Sequence, residues 1–176
     1  ELKIIDVEFN NVNGGSFSVV AAHKESEIIP NHETISKILK NEKNLKLDTA
    51  SPYNEFKKRV DREQKKFMDF LIEAKQSGKR VCGLGASTKG NVLLQYYGIN
   101  SELISEIGEV NEDKYGSYTP GTMIPLVNED KVLESNPDYL VILPWHFKDF
   151  FIQIEKFKNK GFKLVFPLPE FHIVDV

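Results

Sequence analysis

From Val81 onward, short apolar runs alternate with helical stretches, and no other feature of the chain limits its possible folds so far. Val81-Cys82-Gly83-Leu84-Gly85 predicts a strand, and residues 88–97 predict a helix carrying Val92, Leu93, Leu94 and Tyr96. Further strands are expected over 103–110, 124–127, 139–143 and 163–166, with helices over 129–134 and 148–158. Strands that are apolar throughout and separated by helices need right-handed crossovers and cover on both faces. The expected fold class is α/β: a Rossmann-like, mostly parallel sheet flanked by helices.

The first 80 residues read differently. Ile5, Val7 and Phe9 alternate with Asp6, Glu8 and Asn10, and Phe17, Val19 and Ala21 alternate again after Asn13-Gly14-Gly15. This predicts a β-hairpin over 4–22. An isolated hairpin is marginal in water, so a larger sheet is expected to support it. Residues 25–50 form a polar connector with a short helical pattern at Ile35, Ile38 and Leu39. Ser51-Pro52 then caps and opens a helix of about seven turns, in which Phe56, Val60, Phe67, Phe70, Leu71 and Ala74 recur until Ser77-Gly78. Its stripe breaks the heptad, so it is expected to cover a sheet face rather than zip to a partner. The expected organisation is a hairpin at 1–24, a connector at 25–50 and one domain at 51–176. Glu1 stands where a start methionine would, so the chain reads as part of a longer protein.

Composition excludes several classes. With 23 Lys+Arg against 26 Asp+Glu and a net charge of −3, the chain lacks the surplus positive charge of a nucleic-acid footprint. Its lone cysteine, Cys82, excludes an intrachain disulfide and a multi-cysteine zinc site, and suits a reducing, cytoplasmic location. No apolar run approaches the roughly 20 residues that span a bilayer, so no membrane contact is expected.

In an open parallel sheet, ligands bind beyond the carboxyl ends of the strands, where strand order reverses. The loop after the first strand offers Gly85, Ser87, Thr88, Lys89, Gly90 and Asn91. Close backbone approach, two hydroxyls, a lysine and the free N–H groups of a helix start would make a phosphate cradle. The bland alternative is a glycine turn with a solvated lysine. The loop is neither a P-loop nor a G-x-G-x-x-G motif, since Thr88 stands where the third glycine belongs. After the second strand come Asn111 and Lys114, beside carboxylates Glu109, Glu112 and Asp113 that have no recognisable partner in the sequence. Trp145 and His146 follow the fourth strand. The tryptophan reads as a buried aromatic more readily than as a stacking platform, whereas His146 leans toward ligand contact. Glu170 and His172 could line the same cleft, although a solvated carboxylate is the commoner role for Glu170. Cys82 reads as an inert buried thiol, and His23 and His32 belong to the polar stretch before the long helix. No nucleophile–base order and no metal-ligand spacing appear, so neither catalytic residues nor a metal are expected in this chain.

Four ordered motifs carry a resemblance over essentially the whole chain: 83–96, 110–122, Leu143-Pro144-Trp145-His146-Phe147 and Phe166-Pro167-Leu168-Pro169-Glu170. They resemble the C-terminal domain of the three-domain S-adenosylmethionine-dependent sugar C-methyltransferases. The resemblance implies a zinc-binding N-terminal domain and a middle domain holding S-adenosylmethionine, both upstream. It also implies that the hairpin is the last pair of strands of the middle domain. Many relatives carry His-Gly-Gly-Ser there, whereas this chain has Asn13-Gly14-Gly15-Ser16. The implied reaction methylates C3 of a 4-keto deoxysugar attached to a nucleoside diphosphate. This chain would bind the nucleotide sugar, pack against the upstream domains, and be inactive alone; its exposed hairpin is a surface through which it could dimerise. The readings it competes with are a non-catalytic Rossmann-like module for a nucleotide, dinucleotide or coenzyme A, and a domain that serves only to pack.

Overall fold

A computed structural model describes residues 1–158 and 160–176. It contains two compact units, Glu1–Arg59 and Val60–Val176. Helix α2 (Ser51–Gln76) contains the division.

In the first unit, strands β1 (Leu2–Asn10) and β2 (Ser16–His23) pair antiparallel, with a register irregularity between Ile4 and Asp6. That irregularity keeps Ile4 on the same face as Val7 and Phe9 although Ile4 and Val7 are three positions apart, because one residue slips the period-two pattern. The turn residue Asn13 takes a left-handed φ of 53°, and Gly14 and Gly15 follow with φ of 84° and 125°. Helix α1 (His32–Asn44) starts at Asn31, whose side-chain oxygen accepts from the Thr34 amide at 3.2 Å. Ile35, Ile38 and Leu39 of α1 and the apolar hairpin face line a groove of about 260 Å³. The sequence suggested only a short helical pattern inside a connector; the helix runs 13 residues. No residue of 1–59 is fully buried.

The second unit is a six-stranded sheet in the order β5-β4-β3-β6-β7-β8. Its strands are β3 (Val81–Leu84), β4 (Ile107–Glu109), β5 (Leu126–Asn128), β6 (Tyr139–Ile142), β7 (Lys163–Phe166) and β8 (His172–Asp175). All pairings are parallel except β7 with β8. The expected mostly parallel α/β sheet is therefore present. One face packs on α2 and α3 (Thr88–Tyr97) through Phe67, Leu71, Leu93 and Leu94 against Val81, Ile107, Val141 and Val165. The other receives Val132 of α4 (Glu129–Glu134) and Phe151 of α5 (Lys148–Gln153) against Leu84, Leu140, Ile142 and Leu164. Cys82 lies in this second layer, fully buried, and burial pushes its thiol pKa up, as suits an inert side chain.

Several boundaries differ from expectation. The second strand occupies only 107–109, because residues 101–104 form a turn in which the Leu103 and Ile104 amides donate to the Asn100 carbonyl. Their apolar character serves packing, with Ile104 fully buried. The third strand sits at 126–128 rather than 124–127. The helix expected over 148–158 stops at Gln153; Ile154 is extended, and a 3-10 turn at 155–157 drives Phe157 into the core. β8 was not foreseen, since its half-exposed antiparallel edge lacks the continuous apolar run of the others.

Chain order reverses beside β3, which pairs with β4 on one side and β6 on the other. A crevice therefore opens at their carboxyl ends. Among the described residues, no helix is long and apolar enough to cross a membrane.

Candidate functional site

At those strand ends lies a cleft of about 640 Å³. The loop after β3 supplies Gly85, Ala86 and Ser87; the end of β4 and its loop supply Glu109, Val110 and Lys114. Pro144 and Phe147 follow β6, Phe150, Phe151 and Ile154 come from α5 and its end, and Glu129 and Lys156 sit on the rim. One wall is thus aromatic and aliphatic, with Phe147 and Phe150 largely exposed. The opposite edge is polar.

Local geometry explains the glycines. Gly85 has a left-handed φ of 78°, and a Cβ there would lie 2.8 Å from Pro144. A Cβ on Gly83 would lie 2.8 Å from Ile107, and one on Gly90 2.8 Å from Leu143. Such separations are shorter than packed carbon atoms tolerate. All three glycines are therefore required by strand, helix and loop packing.

Ser87 is the N-cap of α3: with extended φ/ψ, it accepts the Gly90 amide on Oγ at 3.0 Å. Its oxygen is committed to the cap, and its O–H remains a donor. Thr88 and Lys89 stand exposed on the first turn of α3. Asn91 donates from Nδ2 to the Ser87 carbonyl at 3.2 Å, and its Oδ1 is buried without a hydrogen-bond partner among the described residues.

His146, from the loop after β6, lies within the field of Lys89. Burial first, then the Lys89 charge, pushes its pKa down, so the ring is neutral at physiological pH. Its Nδ1 is also buried without a partner among the described residues. His146 and Lys89, from two separate loops, thus lie within electrostatic range of each other, although neither lines the cleft. Trp145, partly buried, packs against both hydrophobic layers of the sheet. Asn111 is exposed and caps a 3-10 turn by accepting the Asp113 amide at 3.1 Å. Glu170 is also exposed; its carbonyl contacts His172 Nδ1 at 2.7 Å, and its side chain does not line the cleft.

The partner that the sequence did not reveal for Glu109 is Lys114. Glu109 is 8% exposed, and its Oε2 accepts Lys114 Nζ at 3.0 Å and the Ala86 amide at 3.1 Å. Oε1 accepts the Val110 and Asn111 amides at 2.9 and 3.2 Å. Burial acts to raise its pKa, but Lys114 and the two following amides outweigh burial and hold it below the usual carboxylate value. Lys156 is likewise paired with Glu129. Each lysine lining the cleft is therefore charge-matched by a carboxylate of which little is exposed.

This arrangement can bind a ligand with one flat or apolar part and one anionic part. The chain matches the family model described as the C-methyltransferase C-terminal domain over residues 11–169. It belongs to this family. The C-methyltransferase NovU of Streptomyces niveus is 29% identical over 177 aligned residues, covering 98% of this chain and 41% of NovU. A C-methyltransferase C-terminal domain of this kind therefore spans about two-fifths of that relative's length. Among the described residues, no three His, Cys, Asp or Glu side chains converge as a metal site would require. The residues do not fit bound S-adenosylmethionine in the usual Rossmann manner either: the strand-end acid that would take its ribose hydroxyls already accepts four donors.

Proposed function

We propose that this chain is the nucleotide-sugar-binding domain of a C-methyltransferase that methylates C3 of a 4-keto deoxysugar carried on a nucleoside diphosphate. The observation that carries the reading is the cleft at the switch point, whose lining joins an aromatic wall to Ser87, the N-cap of α3; Thr88 and Lys89 follow on the first turn of that helix, beyond the lining itself. The base would lie against Phe147 and Phe150. The diphosphate would accept charge-assisted hydrogen bonds from Lys89, Lys114, the two hydroxyls and the first amides of α3. His146, neutral and half-buried, is suited to donate to or accept from the ligand without adding charge.

In this reading the methyl donor, S-adenosylmethionine, and a structural zinc belong to domains upstream, and the hairpin β1–β2 completes the sheet of the middle domain. S-adenosylmethionine supplies the methyl group when bound there. The present chain does not transfer the group; it holds the nucleotide end, and so fixes the sugar carbon relative to the donor. The saturation of Glu109 argues against the competing reading of a dinucleotide module, which would need that acid for a ribose diol.

Titration calorimetry with a thymidine diphosphate sugar tests the proposal. Wild-type chain should release heat on binding, and Lys89→Ala should weaken affinity about fivefold to tenfold. Absence of heat, or unchanged affinity in the variant, overturns it. Incubation of this chain alone with S-adenosylmethionine and substrate should give no methyl transfer.

A further inference from the structure

Lys114 is not a loose surface lysine. Its Nζ donates to Glu109 Oε2 at 3.0 Å and to the Ala86 carbonyl at 3.2 Å, which leaves one of its N–H donors for a ligand. Glu109 in turn accepts the Ala86 amide, so one carboxylate and one lysine grip both polar groups of the residue immediately after Gly85. That residue joins β3 to the N-cap of α3. The same carboxylate takes the Val110 and Asn111 amides and so fixes the start of the loop that carries Lys114.

We infer that Glu109 is the positioning residue of the cleft: it sets the Lys114 ammonium and the Ala86 turn in register, so that Lys114 presents its remaining N–H to the anionic part of the ligand. The assignment rests on the proposed nucleotide-sugar reading of the same cleft. Three features support it independently of any ligand. Glu109 is buried while facing a polar edge, its hydrogen bonds run to the ends of two adjacent strands, and both it and Lys114 line the cleft. A buried carboxylate is costly unless paired and hydrogen-bonded. Here four donors meet that demand. A carboxylate placed only to stabilise a turn would not need a lysine from five residues further along that also reaches back to β3's loop.

The lysine's value then depends on where it is held and not only on its charge. An ammonium can bridge a carbonyl and a carboxylate while keeping a third donor, whereas the planar fork of arginine spreads its donors differently. This separates position from charge experimentally.

The test is calorimetric titration of thymidine diphosphate into this chain and its Glu109→Gln, Lys114→Ala, Lys114→Arg and Glu109→Gln/Lys114→Ala variants, with circular dichroism as a check on folding. Glu109→Gln and Lys114→Ala should each weaken binding about tenfold, and the double variant should be no weaker than either alone, because both remove one coupled unit. Lys114→Arg should lose about as much as Lys114→Ala. Additive losses, or Lys114→Arg binding as tightly as wild type, would overturn the assignment while leaving the nucleotide reading intact. If Glu109→Gln does not fold, the Lys114→Arg comparison decides the question by itself. A wild-type chain that gives no heat overturns the nucleotide reading and this assignment with it.

Discussion

Glu63 shows how one buried charge can join distant parts of the chain. It sits on α2 with its side chain 2% exposed, and its carboxylate accepts the Phe171 amide at 2.9 Å, Arg62 Nε at 3.0 Å and Lys66 Nζ at 3.0 Å. Phe171 packs its ring against Phe67 and Phe70 of the same helix. The Phe171 amide is the largest influence on the acid; burial opposes it, and Arg62 and Lys66 add to it, lowering the pKa to about 2. A carboxylate whose folded pKa is depressed contributes stability that is fully present above its unfolded pKa and is lost as pH falls through the folded value. The window for Glu63 therefore runs from about pH 4.5 down to about pH 2. Glu63→Gln should cost about 2 kcal/mol near neutral pH, since it removes charge-assisted hydrogen bonds from a buried site. Urea unfolding at a series of pH values should show the gap between variant and wild type closing as pH drops through that window. A constant gap would mean that the charge contributes nothing.

At the scale of elements, α3 connects stability to the site through its cap. Ser87→Ala should lose about 1 kcal/mol, whereas Ser87→Gly should lose only a few tenths, because glycine leaves the capping amides accessible to water. Thermal unfolding of the two variants checks this, and equal losses would place the cost somewhere other than the cap. The same element marks the limit of what its sequence discloses. Ser87 before an apolar periodic run is a legible helix start, and Gly98 with a φ of 69° is a legible stop. The crowding of Gly83 and Gly90 by Ile107 and Leu143 is not legible, because those neighbours come from β4 and from the residue that follows β6. Glu109 is a similar case: its lysine is five residues away, but the other end of the bridge is Ala86, reached only once β3 and β4 pair. Continuous apolar runs announced the central parallel strands; β8, half-exposed and antiparallel, gave no such signal, and Leu103 and Ile104 suggested strand where a turn uses the same residues for packing. Trp145 and Glu170 are candidates by their place after strands, although a buried aromatic and a solvated carboxylate are the commoner readings of the two. The first is held by both hydrophobic layers and the second faces solvent.

Over the whole molecule, burial is distributed very unequally between the two units. Val141, Leu140, Ile142, Leu164 and Val165 in the central strands of the second unit are completely inaccessible to solvent, and helices cover both faces of the sheet. In the first unit no residue is fully buried, and Phe9 and Phe17, whose rings lie 6.2 Å apart, are each more than 60% exposed. Backbone hydrogen bonds in a two-stranded ribbon with so little cover open locally, at a fraction of the free energy needed to unfold a packed core. Amide hydrogen exchange should therefore show fast exchange throughout β1 and β2 and the slowest exchange in β3, β6 and β7. Hairpin amides as slow as those of β6 would contradict this. The proposed role of the hairpin adds a second arm to the same experiment. If β1 and β2 complete the sheet of an upstream domain, their amides should become strongly protected when exchange is measured in the longer protein, while those of β6 remain as slow as before. Unchanged fast exchange there would remove the hairpin from that sheet, and the exposed Phe9, Phe17 and Val19 would then need a different partner.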